Sequence, residues 1–285
     1  MRFALRRIRA PLIFQRRLSS VCFVARLIAR FVVCFVVCSA ACFASFAACR
    51  AAYETAEGPI DRFDLPLKIT KLSKHLFLIE DFNYWKSNYV FYAHPRGIVF
   101  LDAGWTPSSA RRLIWKALIK SEAEFMAVVP TGFQIHRTGG LPAFQKRNIR
   151  IYLQEKTARI LELYWDAMQR NMKRDFGSWR VFPGIIPDGI FKKKLKLLGG
   201  KIHILYPGDA HSPGNVVAYF PEEKILYAGS LLSDPLFFTG KINCRAFSHA
   251  LAQLKQFPFT RIISGHGKPI RGPNLTRFVL SRTCP

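Results

Sequence analysis

The chain predicts an α/β domain in which short apolar strands deliver polar loops. Three times an apolar run ends in a Gly-rich turn that carries a histidine. Residues 125–129 lead into 131–140, 202–206 into 208–215, and 261–263 into 264–267. Both halves of the chain also run strands first and then a helix, which suits layered packing of helices on sheets. In such folds the loops at the C-terminal ends of strands hold the working side chains. At 285 residues, with 50% apolar residues and 25 Phe, the chain can bury a substantial core.

The first 52 residues stand apart from that domain. They contain nine Arg, no Lys and no acid. Residues 31–49 form an uncharged run rich in Val, Ala and Cys. A basic start, an apolar middle and an exit of small residues predict an export signal; a run of that length also suits a retained membrane anchor. Phe46-Ala47-Ala48-Cys49 resembles a bacterial lipobox. The protein is therefore expected to be exported, whether periplasmic, secreted or membrane-anchored. Residues 53–67 read as a polar linker, and 68–282 as the folded domain.

Within the domain, strands are expected at 68–72, 76–79, 89–93 and 97–101, a β-meander with His94-Pro95-Arg96 at one turn. An aromatic loop, Phe82-Asn83-Tyr84-Trp85, interrupts it. Thr106-Pro107-Ser108-Ser109 supplies a hydroxyl cap and a first-turn Pro for a helix over 110–120. Residues 157–172 carry Ile160, Leu161, Leu163, Tyr164 and Met168 on an apolar helical face. The stretch 176–190 is punctuated by Gly and Pro and reads as irregular. Strands return at 194–198, 202–206, 215–220 and 225–228. A helix is expected over 246–257, and a last one over 275–281.

The formal charge is +25. Setting aside the nine Arg of the leader leaves the domain at +16. The basic residues are scattered rather than gathered in a stripe, which disfavours nucleic acid as a partner. Attraction to an anionic surface, lipid or glycan, is compatible with that charge. Five of the seven Cys lie in the leader. Cys244 and Cys284 remain and could pair in an oxidising compartment. No CxxC spacing is present.

The site candidates follow from the three loops. Neutral imidazole is the commonest protein ligand for metals, and Gly lets backbone approach an ion closely. His136, His211 and His266 are the histidines in Gly-rich strand-end loops. His75, His94, His203 and His249 lie elsewhere and read as surface or packing residues.

The order Gln134-Ile135-His136-Arg137-Thr138-Gly139-Gly140, then His211-Ser212-Pro213-Gly214-Asn215, then Ala228-Gly229-Ser230, then Ser264-Gly265-His266-Gly267 resembles the metallo-β-lactamase superfamily. Phe100-Leu101-Asp102-Ala103-Gly104-Trp105 is similar to that family's buried turn. The resemblance runs from about residue 69 to 280. It implies a four-layer αββα sandwich, a small-molecule substrate and two zinc positions.

The family's first site takes both His of an HxH pair and the His before Ser/Thr-Pro-Gly. Here the pair is Gly132 and Gln134, so only His211 is left. Gln offers a neutral carbonyl oxygen, which suits hard cations better than zinc. The second site takes an Asp, a Cys or Asp, and a final His. Here those positions hold His136, Ser230 and His266. The resemblance thus implies at most one zinc, held by His136, His211 and His266, with Gln134 or Ser230 meeting water or substrate. Asp102 would support the ligand loops. Phe82, Tyr84 and Trp85 occupy the place of the family's substrate flap, and Asn215 lies in the turn after the histidine. Ser233 stands where the β-lactamases proper carry a Lys for the drug carboxylate, so efficient β-lactam hydrolysis is not expected. The implied activity is hydrolysis of an ester, thioester or amide. The rival reading is a binding protein that keeps the fold after losing the dinuclear site.

Overall fold

A computed structural model describes residues 67–82, 86–121, 123–176, 180–233, 243–267 and 270–271. The leader, most of the linker, Tyr84, Trp85, Cys284 and the helix expected over 275–281 lie outside these residues.

Two sheets form the middle of the domain. The first has seven strands in sequence order: β1 (Leu67–Lys71), β2 (Leu76–Asp81), β3 (Ser87–His94), β4 (Gly97–Leu101), β5 (Met126–Val129), β6 (Arg150–Gln154) and β7 (Gly189–Phe191). β1 to β4 are antiparallel, and β4 to β7 run parallel. The second sheet has six strands: β8 (Lys194–Leu197), β9 (Ile202–Leu205), β10 (Val217–Phe220), β11 (Ile225–Gly229), β12 (Arg261–Ser264) and β13 (Ile270–Arg271). There only β11 and β12 pair in parallel.

The helices are α1 (Pro107–Leu118), α2 (Ile135–Thr138), α3 (Leu141–Gln145), α4 (Glu155–Phe176) and α5 (Cys244–Leu254). α1 starts as its sequence predicts. The Thr106 hydroxyl accepts from Ser109 N–H, and Ser109 Oγ accepts from Thr106 N–H. Asn243 caps α5 by accepting from Ala246 N–H at 3.0 Å. Cys244, the first residue of α5, is disulfide-bonded.

The period-two alternation of the strands sorts side chains into layers. In β2, Leu76 and Leu78 face the space between the sheets, where they join Val90, Val99, Ile204, Phe220 and Ile263. Phe77 and Ile79 point the other way, into a layer with Leu113 and Ile114 of α1, Phe144 of α3 and Leu161 and Trp165 of α4. On the far side of the second sheet, Val217, Tyr219 and Leu226 pack on Phe247, Ala250 and Leu254 of α5. Helix, sheet, sheet, helix is the four-layer αββα sandwich.

The strands and long helices fall where the sequence places them. β6, β7 and β13 are not among the expected strands: the run around Arg150–Gln154 is mixed in polarity, β7 has three residues and β13 two. The loop 131–140 is not wholly loop either: its middle winds into the single turn α2.

Candidate functional site

Three loops meet at one end of the sandwich, and Arg137 ties them. It lies on α2 and is fully buried. Its Nη1 donates to Asp102 Oδ2 (2.9 Å), the Asn88 carbonyl (2.9 Å) and Tyr227 Oη (3.0 Å). Its Nε and Nη2 donate to Ser230 Oγ at 3.2 and 3.0 Å, and Nη2 also reaches the Gly265 carbonyl at 3.1 Å. One guanidinium therefore joins β3 and the turn after β4, on the first sheet, to the ends of β11 and β12 on the second. A buried charge is tolerated when it is paired and fully hydrogen-bonded, and Arg137 meets both conditions.

Asp102 is Arg137's counter-charge. Its backbone takes φ 73°, a left-handed conformation that Asp accepts more readily than most residues. Its carboxylate also receives the Thr131 hydroxyl and N–H and faces Tyr227 Oη. Burial pushes the Asp102 carboxyl above its ordinary value, opposed by Arg137, Thr131 and Tyr227. Burial also raises the Tyr227 phenol. Gly139 and Gly140 let α2 lie against the β4 turn. A Cβ there would stand 1.9 Å from the Trp105 carbonyl and 2.0 Å from that of Ala103.

Above this floor lies a cavity of about 420 Å³, lined by Phe133, Gln134, Ile135, His136, Met168, Asn171, Met172, His211, Ser230 and His266. The structure thus brings all three strand-end histidines into one cleft, with Gln134 and Ser230. The imidazoles of His136 and His266 have ring centres 5.3 Å apart. His136 Nε2 faces Ser230 Oγ at 3.4 Å. Ser230 Oγ already accepts from Arg137, so its own hydrogen is free to point to that nitrogen. His266 Nε2 faces Arg137 Nη2 at 3.4 Å, and its Nδ1 faces the Lys86 carbonyl at 3.3 Å. This pattern puts the His266 proton on Nδ1 and turns the Nε2 lone pair to Arg137. Burial, then the Arg137 charge, then the other histidines hold His136 well below its ordinary value. Burial, Arg137 and His266 lower His211 to about 4.

The other expected site residues take different places. Asp102 is fully buried and does not line the cleft; its partners are Thr131, Arg137 and Tyr227. Asn215 is buried, and its Oδ1 accepts from the N–H groups of His211 and Ser212. Its role is to shape the histidine's turn. Ser233 is buried after the short 3-10 turn Ser230–Leu232 and does not line the cavity. Phe82, just past the end of β2, is 38% exposed and likewise absent from the lining. Met168, Asn171 and Met172 were not singled out as site residues. Their i, i+3, i+4 spacing on α4 marks one helical face, but nothing in sequence says that the end of that face covers a cleft.

Sheets, loops and cleft together have the architecture of the metallo-β-lactamase fold. No protein-family model matches the chain. It is similar to a metallo-beta-lactamase type 2 of Elizabethkingia meningoseptica, at 22% identity over 211 residues, covering 70% of this chain and 78% of that protein. It is also similar to a metallo-beta-lactamase type 2 of Bacillus sp. (strain 170), at 23% identity, covering 59% of this chain and 61% of that one. Among solved structures, the DIM-1 metallo-beta-lactamase overlays with a TM-score of 0.63 at 22% identity, covering 76% of this chain and 96% of that one. A metallo-beta-lactamase from Pontibacter korlensis overlays with a TM-score of 0.61 at 22% identity, covering 76% and 98%.

The resemblance implies metal, and the donors present here do not fit that family's two-ion centre. Gly132 has no donor. Gln134 folds its amide back over Gly132, with Oε1 2.4 Å from where a Cβ would stand. Ser230 Oγ receives two Arg137 N–H groups, and the Nε2 atoms of His136 and His266 face protein partners. Among the described residues no group of three or more His, Cys, Asp or Glu is arranged to hold a metal ion.

Proposed function

We propose that this chain binds a small, largely apolar molecule in its cleft and does not run two-metal hydrolysis. The observation that carries this is the turning of the donor atoms onto Arg137 and Ser230, beneath a cavity walled by Phe133, Ile135, Met168 and Met172. Apolar walls with a few polar groups at one end are the usual make-up of a small-molecule site. No Lys or Arg is among the described residues lining the cleft. The +25 net charge therefore bears on association with an anionic surface rather than on ligand choice.

One observation favours a second reading, a single-zinc hydrolase of an ester, thioester or amide. Two imidazoles sharing one zinc at Zn–N distances of about 2 Å have ring centres roughly 5 Å apart, and those of His136 and His266 are 5.3 Å apart. Metal analysis of the purified domain after zinc addition, beside an ester, thioester and lactam panel, separates the two readings. The binding reading expects no stoichiometric zinc and no turnover. Zinc and turnover that both vanish in His136→Ala and His266→Ala would overturn it in favour of the hydrolase.

Export remains part of this proposal. The disulfide at Cys244 supports it, since such bonds persist in oxidising compartments. N-terminal sequencing and fractionation test it, and a full-length reduced cytosolic chain would refute it.

A further inference from the structure

Gln134 lines the apolar cleft, and its carboxamide folds back over Gly132. A Cβ at this position would stand 2.4 Å from Gln134 Oε1 and 3.7 Å from Ser212 Oγ. The Gln134 carboxamide therefore rests in space that any other residue at 132 would claim. Gln134 Oε1, Gln134 Nε2 and Ser212 Oγ are all buried, and none has a hydrogen-bond partner among the described residues. Ser212 as a whole is 7% exposed. Folded proteins rarely leave buried hydrogen-bonding atoms unmet, and three in one neighbourhood point to a guest that meets them.

We propose that Gln134 and Ser212 form the hydrogen-bonding head of the cleft, and that its ligand is a neutral molecule with an apolar body and an amide at one end. This rests on the binding reading above and deepens it. A Gln carboxamide presents a donor and an acceptor in one plane. An amide offers the complementary pair, whereas an ester or a carboxylate can only accept. The described lining of the cleft holds no Lys, Arg, Asp or Glu. Arg137, the cation beneath it, has its N–H groups on Asp102, Asn88, Tyr227, Ser230 and Gly265, so an anion would enter without a counter-charge. Gln134 is stowed with its polar atoms shielded. It turns out about its own side-chain bonds when the ligand arrives, exchanging unmet atoms for met ones.

The test uses the full chain and three matched probes: 3-phenylpropanamide, methyl 3-phenylpropanoate and the 3-phenylpropanoate anion. Dissociation constants come from ligand-observed NMR. The amide is expected to bind at least about ten-fold more tightly than the ester, because a site built to hydrogen-bond discriminates against the analogue that cannot. Gln134→Leu should bring the amide to the level of the ester while the Tm holds or rises, two unmet polar atoms having gone. Gly132→Ala, whose methyl would crowd Oε1, should narrow the amide-to-ester ratio as well. Equal binding of amide and ester to the unaltered chain overturns the assignment of the head and leaves cleft binding standing. So does an undiminished amide preference in Gln134→Leu, or a clear fall in its Tm, which would mark Gln134 as structural. Failure of all three probes to bind overturns the binding reading itself, and this inference with it.

Discussion

The floor of the cleft and its rim are built on opposite terms. In the floor, Arg137 is buried with its N–H groups directed at Asp102, Asn88, Tyr227, Ser230 and Gly265, and Asp102 is matched in turn by Thr131 and Tyr227. In the rim, the positions at which the family resemblance implies metal ligands hold Gly132, Gln134, His136, His211, Ser230 and His266, and the amide of Gln134 is met by nothing described. The difference shows how a fold and its chemistry can separate. A charge sealed at the junction of two sheets is held by stability, since losing one partner strands the other. Side chains facing a cavity carry no such debt, and they can change while the loops beneath them stay in place.

That contrast is broken most directly at Arg137. Arg137→Met fills similar volume but leaves Asp102 buried without its counter-charge, and about 3–5 kcal/mol of stability should be lost. Urea unfolding measures it. Ser230→Ala takes an acceptor from Arg137 Nε and Nη2 but leaves the Arg137–Asp102 ion pair in place, and should cost less. Equal losses in the two variants would mean that floor and rim are one unit.

Acid probes the layer between them. The ordinary histidine value is 6.5, and His211 lies at about 4 in the fold. The unfolded chain therefore takes up this proton first as pH falls. The stability tied to a neutral His211 is complete above pH 6.5 and drains away toward pH 4, a change on the order of 3 kcal/mol. His136, also lowered by burial, adds in the same direction. Denaturation curves across this window check the sign, and His211→Gln should flatten part of the slope. A chain that gains stability as pH falls from 6.5 to 4 would contradict the buried, neutral imidazole.

The fold was legible because its signals are local. Apolar runs, the Thr106 cap and Gly-rich turns each report on a few neighbouring residues, and the three histidine loops share an end because their strands all close there. What the floor does was not legible. The resemblance places Arg137 in a structural turn with Gly139 and Gly140 but does not name what it binds, since its partners lie as far away in sequence as Gly265, 128 residues on. The resemblance gave Asp102 as a support of the ligand loops and Asn215 as part of the histidine's turn; what it did not give is their partners, Thr131, Arg137 and Tyr227 for the one and the N–H groups of His211 and Ser212 for the other. The covering face of α4 was visible as a helical stripe, but which stretch of a long helix overhangs a cleft depends on packing that no periodicity encodes. Nor does the residue type at 134 say that its amide is stowed over Gly132, since that follows from a missing Cβ two residues away.

The smallest effect is expected at the second ion pair of the site loops, and it completes the comparison. Lys156, on α4, pairs with Asp209 in the loop before His211, the two side chains being 49% and 35% exposed. Asp209 does not depend on it alone. Tyr206 Oη donates to Asp209 Oδ1 at 2.6 Å, and Gly214 N–H donates at 3.0 Å. Burial pushes the Asp209 carboxyl up, and Lys156, Tyr206 and Gly214 outweigh it and hold the group below its ordinary value. Water reaches both ends of this pair, so Lys156→Met should cost no more than about 1 kcal/mol. The cost should also shrink in high salt, because exposed pairs are screened and sealed ones are not. Unfolding midpoints of the two Met variants, taken at low and high salt, make the contrast measurable. A Lys156→Met loss of several kcal/mol, indifferent to salt, would move Asp209 out of the rim and into the sealed floor with Asp102.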